Sequence, residues 1–301
     1  MLRTEPGKGT VVADSARMAR AMWTLFEPIH AVTYSAPEAR SAFEQAGLRG
    51  FWRGYFAGRA APLGPASPAV VTASFFNFSP AFVARAIPGV WALISPEEAL
   101  RVRAAGAAQS LRGLFTGLET EAAAGADLLW RVIGDLDCPG RVLAAANAAL
   151  PDPGDGPSAS FDRLWQAATV AREHRGDGHF AALAAAGFDG CEAVVLRCGL
   201  DLRREDMQPI RGWTDEQWDA AQARLADRGL LNADGKLTSE GLDAHAAIED
   251  ATDRAAARPW TRLGEQATAE LRAVLTPLAQ ACASLMQFPS PIGVPAPGTV
   301  F

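Results

Sequence analysis

Residues 214–242 constrain the fold more than any other stretch of the chain. Thr214 is a good helix N-cap, followed by Asp215 and Glu216, which the positive end of a helix dipole favours. Trp218, Ala221, Leu225 and the pair Leu230-Leu231 then recur at roughly helical spacing, and Gly229 stands where a C-cap glycine belongs. Leu231 and Leu237 flank Asn232-Ala233-Asp234-Gly235, a turn with the Asp-Gly hairpin signal. Thr238 caps a second helix through Leu242, Ala246 and Ile248. The order is therefore helix, short hairpin, helix.

That order is similar to a MarR-type winged helix, and LLNADGKLTSEGLDAHAAIEDATDR resembles the wing and following helix of that family. The remainder is rich in alanine and leucine, with few β-branched runs, and reads as mainly helical. With 301 residues, 49% of them hydrophobic, the chain can build two domains with proper cores. PDPGDGPSAS is the clearest linker. It divides an N-terminal helical domain, 14–150, from a C-terminal winged-helix domain, 160–288, with the proline-rich residues 289–301 as an extended tail. Residues 1–13 read as a loose leader. Pro28 predicts a kink or restart in the first helix, and Gly176-Asp177-Gly178 predicts a break in a later one. VVTASFFNF is compatible with a strand or a short helix, and residues 262–287 read as one long helix.

The two halves echo one another. FEQAGLRGFWRGYFAGRAAPL resembles LAAAGFDGCEAVVLRCGLDL, and ISPEEALRVRAAGAA resembles LTSEGLDAHAAIEDA at nearly the same spacing, which points to a duplicated unit. MarR-type proteins are homodimers with interlocking terminal helices, so a tandem copy implies that dimer within one chain. The expected fold is mainly α: two tandem winged-helix-like halves forming a pseudo-dimer, with a small β-wing in the second. The whole chain also resembles actinobacterial SalK-type helix-turn-helix proteins, through EPIHAVTY, GYFAGRAAPLG, SFFNFSPAFVARAIP and REHRGDGHFAAL. That resemblance implies a fold and a link to secondary metabolism more firmly than an activity.

Charge argues against nucleic acid as a partner. The formal net charge is −6, and Lys8 and Lys236 are the only lysines. The helix opened by Thr214 sets Asp215, Glu216, Asp219 and Asp227 against Arg224 and Arg228, while Arg203, Arg204 and Arg211 keep DNA binding open. The four cysteines form no CxxC pair. Without a GxSxG, HExxH, P-loop or dinucleotide motif, no metal or cofactor is predicted. An N-terminus without an apolar core and the lack of a bilayer-length apolar run predict a cytoplasmic protein.

Three clusters carry potential chemistry. AREHRGDGHF brings together Arg172, His174, Arg175 and His179, which would either cap a helix end or, with His30, supply proton transfer near neutral pH. Gly50, Gly54 and Gly58 either allow close helix packing or make room for a ligand beside Trp52, Tyr55 and Arg59. Asn77 between aromatic Phe76 and Phe78 either caps a core turn or orients a planar ligand. The expected site is an aromatic-lined cavity between the halves. Its acid–base residues are His30, His174 and His179; Tyr34, Trp52, Tyr55, Arg59, Asn77, Phe78 and Arg172 hold the ligand. Arg59 or Arg172 would grip a carboxylate or phenolate. The expected function is binding of a small organic, aromatic ligand by a monomer or weak homodimer that has lost DNA binding. The alternatives are a ligand-responsive MarR-like regulator and a cofactor-free enzyme using histidine as acid and base.

Overall fold

The structure, a computed structural model, describes residues 8–154 and 159–299. The expected leader lies outside these residues over 1–7, as do linker residues 155–158 and the last two residues of the tail. The chain is mainly helical. Its first half holds α1 (Lys8–Ser35), α2 (Pro37–Gln45), α3 (Phe51–Ala60), α4 (Pro68–Phe75), α5 (Pro80–Ala84), α6 (Pro96–Leu114), α7 (Glu119–Ile133) and α8 (Val142–Ala148). The second holds α9 (Ser160–Ala185), α10 (Gly190–Leu200), α11 (Arg204–Arg211), α12 (Asp215–Asp227), α13 (Ser239–Ala256), α14 (Arg258–Leu263) and α15 (Glu265–Ala283). Ser-Pro steps open α4, α5 and α6: Ser67, Ser79 and Ser95 accept from Val70, Phe82 and Glu98 backbone N–H, and proline takes the position whose N–H needs no partner. The undecided segment VVTASFFNF is therefore largely helical, in α4.

The apolar side chains segregate into two lobes and a layer between them. Phe43, Leu48, Phe56, Val71, Phe75 and Phe82 form the core of the first lobe, from α2 to the start of α6. Phe188, Val194, Met207, Trp218, Leu225 and Ile248 form that of the second, from the end of α9 to α13. Between them, Phe26, Ile29, Leu111, Leu129, Trp165 and Leu275 close a shared core across α1, α6, α7, α9 and α15. Residues from both sides of the linker contribute to this layer. Gly47 and Gly187 end α2 and α9 alike. Both have positive φ, 91° and 75°, and the following N–H reaches back five residues: Leu48 to Phe43 O at 2.9 Å, Phe188 to Leu183 O at 3.0 Å.

Four expectations require correction. First, α1 does not restart at Pro28 but continues through it as one helix. An internal proline costs about 3 kcal/mol in an isolated helix, but Leu25, Phe26, Ile29 and Val32 are buried here and α1 packs along α9, α13 and α15 at once. Second, α9 continues through Gly176 and Gly178. A Cβ on Gly178 would lie 2.5 Å from Arg141 Nη1, so this glycine makes room for a guanidinium that bonds the carbonyls of His174 and Ala255. Third, the wing is reduced to one antiparallel bridge between Leu231 and Leu237. Asn232 N–H donates to Lys236 O at 2.9 Å and Thr238 N–H to Leu230 O at 3.1 Å on either side of this bridge, but the Asn232 side chain takes the Asp234 and Lys236 N–H groups and Thr238 already caps α13, so the pairing goes no further. Fourth, the last helix is split at Gly264 (φ 85°) into α14 and α15. Among the described residues, no single helix is long and apolar enough to cross a membrane.

The turn between α11 and α12 is seated on the first lobe. Ser79 N–H donates to Arg211 O at 2.9 Å, Ser79 Oγ to Gly212 O at 2.6 Å, and Trp213 Nε1 to Asn77 O at 3.1 Å. Nearby, a Cβ on Gly190 would lie 2.1 Å from Phe76 O. Gly190→Ala therefore forces the lobes apart and should destabilise the protein by about 2 kcal/mol, an overpacking cost read from the urea midpoint.

Candidate functional site

Where α1, α3 and α9 meet, four charges are buried in one chain of contacts. Arg59 donates to both Glu173 oxygens at 3.2 and 3.3 Å and to Tyr55 OH at 3.1 Å. Arg172 donates to Glu173 at 2.8 Å and to Glu27 at 3.4 Å, and Trp23 Nε1 donates to Glu27 at 3.0 Å. Burial alone would raise the Glu173 pKa, but Arg172 and Arg59 hold it down to about 2. Burial does raise Glu27, against the pull of Arg172. A second neutral set joins α1, α9 and α13: Arg175 meets Asp253 at 2.7 Å, and Arg20 meets Asp253 and Glu249 at 2.6 and 3.0 Å.

Beside these networks lies a cleft in two connected parts. The inner part is walled by Tyr55, Phe75, Phe78 and Phe180 with Arg59, Asn77, Arg172 and His179. The outer part, the roomier of the two, is bordered by Tyr34, Phe51, Trp52 and Tyr55. Glu27, Arg172, Arg211 and Ile292 border both. The expected tail supplies the outer wall: Ser290 and Val294 are buried, Val294 N–H bonds Ser290 Oγ at 2.9 Å, and Ile292 between them, itself exposed to solvent, borders the cleft. On the aromatic side Tyr55 has ring-centroid distances of 5.0 Å to Tyr34, 5.5 Å to Trp52 and 5.6 Å to Phe78. Gly54 and Gly58 face the other way. A Cβ on either would come within 3.0 Å of the Phe43 ring, so these glycines serve close packing.

Asn77 is presented by a strained backbone. Phe76 has φ 55° and ψ −57°, and Asn77 N–H bonds Phe75 O at 2.6 Å, a γ-turn of the rare hand that costs about 1–3 kcal/mol. The turn is clamped on both sides, by Phe76 stacking on Phe180 and by Trp213 donating to Asn77 O. Asn77 Oδ1 is buried without a hydrogen-bond partner.

The ten residues singled out from the sequence divide three ways. Tyr34, Trp52, Tyr55, Arg59, Asn77, Phe78, Arg172 and His179 border the cleft. His30 lies one layer behind, with Nε2 3.2 Å from Tyr34 OH and Nδ1 2.9 Å from Thr169 Oγ1; burial, then Arg172, holds its pKa well below the usual histidine value. His174 points elsewhere, into the packing against Arg141 and Asp137. Because α9 is unbroken, residues 172, 175, 176 and 179 share one helical face, while 174 is turned about 200° from 172. The helix-end cap considered for these residues is likewise excluded, since they lie inside α9. Both Arg59 and Arg172 are already committed to Glu173. Sequence reasoning missed Glu27, Glu173 and Ile292, and assigned Arg211 only to DNA. The available signal was a charged Arg172-Glu173 doublet following the uncharged stretch Ala167–Ala171, which marks buried charges that need partners.

The profile of a helix-turn-helix family matches residues 19–289, nearly the whole chain, and the protein belongs to that family. No curated protein and no solved structure matches it.

Burial, then Arg141, pulls His174 down to about 4. Its ordinary value is about 6.5, so between these two pH values the unfolded state binds more protons. The His174 contribution is complete above about pH 6.5 and is lost as pH falls toward 4. His174→Gln should flatten the pH dependence of stability, reducing the loss between about pH 7 and pH 5 by about 1–2 kcal/mol in urea titrations.

Proposed function

We propose that this helix-turn-helix protein binds a small, planar organic molecule in the cleft between its lobes and does not use α12 to read DNA. The carrying observation is the cleft itself. Aromatic rings line it, a few polar groups converge on it, and a strained turn aims Asn77 into it, the composition expected of a site for a flat, partly polar ligand. The order of helices in the two lobes and the matching glycine caps at Gly47 and Gly187 support reading the chain as two tandem winged-helix-like units of MarR type, paired within one chain. Such a chain supplies its own twofold partner, which favours a monomer. The likeness to SalK-type proteins supports a ligand from specialised metabolism.

The exposed side of α12 supports the loss of DNA binding. Asp215, Glu216, Asp219 and Asp227 are exposed there. Arg224 is engaged by Asp189 and Glu192, both at 2.6 Å, and Arg204 by Asp215 and Asp219 at 2.8 and 2.7 Å. A phosphate backbone approaching this face would meet carboxylates. One observation favours a ligand-responsive regulator as the second reading: α11 and α12 keep an intact turn, with Gly212 left-handed at φ 73° and a reciprocal capping box between Thr214 and Gln217. An acid–base enzyme would rest on His179, the one of the three histidines that reaches the cleft.

Two measurements test these readings. The neutral dye Nile red should bind with a fluorescence gain, and Ile292→Trp, which fills the cleft from the tail, should weaken its binding by about tenfold or more; unchanged affinity would remove the cleft as the site. Fluorescence anisotropy with duplexes from around the gene should show no sub-micromolar, sequence-dependent binding at about 0.15 M salt. Binding of that strength would restore the regulator.

A further inference from the structure

Arg211 differs from the other arginines of the cleft. Arg59, Arg172, Arg175 and Arg20 are balanced by Glu173, Glu27, Asp253 and Glu249 in the two networks described above. Arg103, also buried without a carboxylate and with Nε unpartnered, bonds Gly58 O at 3.0 Å and Asn147 Oδ1 at 3.1 Å and borders neither part of the cleft. Arg211 is buried, 7% exposed, and borders both parts of the cleft. Among the described residues no carboxylate pairs with it. Its guanidinium lies 4.7 Å from the Phe78 ring centre and makes one long hydrogen bond, from Nη2 to Pro291 O at 3.4 Å, while Nε is buried without a partner. Burial pulls its pKa below the usual guanidinium value, and Arg59 and Arg172 add to the effect. The cleft thus holds one positive charge more than its networks neutralise, on a side chain whose planar fork fits a carboxylate. The unsatisfied Asn77 amide borders the same inner cavity.

Resting on the reading of the cleft as a ligand site, we propose that its ligand is a planar aromatic or conjugated monoanion, a carboxylate or acidic enol, with the charge on Arg211 and a neutral polar group at Asn77. A singly charged group balances the surplus. A dianionic phosphate would exceed it and would face Glu27 and Glu249, which also border the inner cavity. The flat body would lie among Tyr55, Phe78 and Trp52.

The probes are 2-naphthoate, its neutral isostere 2-naphthamide, and 2-naphthyl phosphate, measured by displacement of Nile red and by calorimetry. On the unaltered protein naphthoate should bind about tenfold or more tighter than the amide and than the phosphate. Arg211→Met should erase the preference for naphthoate over the amide, and Arg211→Lys, which keeps the charge but not the fork, should retain part of it. Circular dichroism melts establish that both variants fold; removal of an uncompensated buried charge should leave Tm unchanged or higher. Equal binding of naphthoate and amide, or a preference that survives in Arg211→Met, overturns the monoanion while leaving the cleft reading intact. Tighter binding of the phosphate overturns the single-charge assignment. Failure of Nile red and all three probes to bind the unaltered protein overturns both the anion and the cleft.

Discussion

The Arg59–Glu173–Arg172–Glu27 chain is the interaction on which the centre of the molecule depends. It ties α3 of the first lobe to α9 of the second and both to α1, with every member nearly removed from water. Isolated, each of these ions would carry a desolvation penalty of several kcal/mol. Together they are neutral, and the mutual fields are strong enough to hold Glu173 ionised. Such a chain adds little net stability over an apolar core. Its effect is on register: α1, α3 and α9 can slide or rotate only by uncovering a charge, so the rings of Tyr34, Trp52 and Tyr55 are held at a fixed place beside the cleft.

Around this centre the lobes are fitted by steric contacts rather than by further charge. Gly190 touches the Phe76 carbonyl and Gly212 accommodates the Phe82 side chain. These contacts lie between segments distant in sequence and tolerate no added atom. They also explain how a γ-turn at Phe76 persists, since packing on one side and the Trp213 hydrogen bond on the other over-determine it.

Much of the fold is written in local sequence. Ser-Pro starts, the Thr214 and Thr238 caps and the glycines at 47, 187 and 229 act within a few residues, and each can be read without knowing its neighbours. Misreadings arise where tertiary packing overrules local preference. Pro28 and Gly178 look like interruptions, yet one lies in a helix packed on several sides and the other leaves space for Arg141. The wing stays at one bridge because the Asn232 side chain takes the Lys236 N–H and Thr238 opens α13 directly after Leu237. At the site, aromatic residues and Asn77 stand out from composition and spacing. Glu27 and Glu173 do not, because their partners arrive from segments that only the fold brings near. His174 does not border the cleft, because α9 is continuous. An unbroken helix sorts 172, 175 and 179 from 174 by angle alone.

Arg211 also occupies a particular point along the chain. It is the last residue of α11; its side chain stands in the cleft, while its carbonyl and that of Gly212 are held by Ser79 at the turn that launches α12. One residue therefore belongs to two machines. The side chain that borders the cleft and the peptide that sets the direction of α12 are thus separated by nothing but their shared Cα, and Ser79 fixes that peptide to the first lobe.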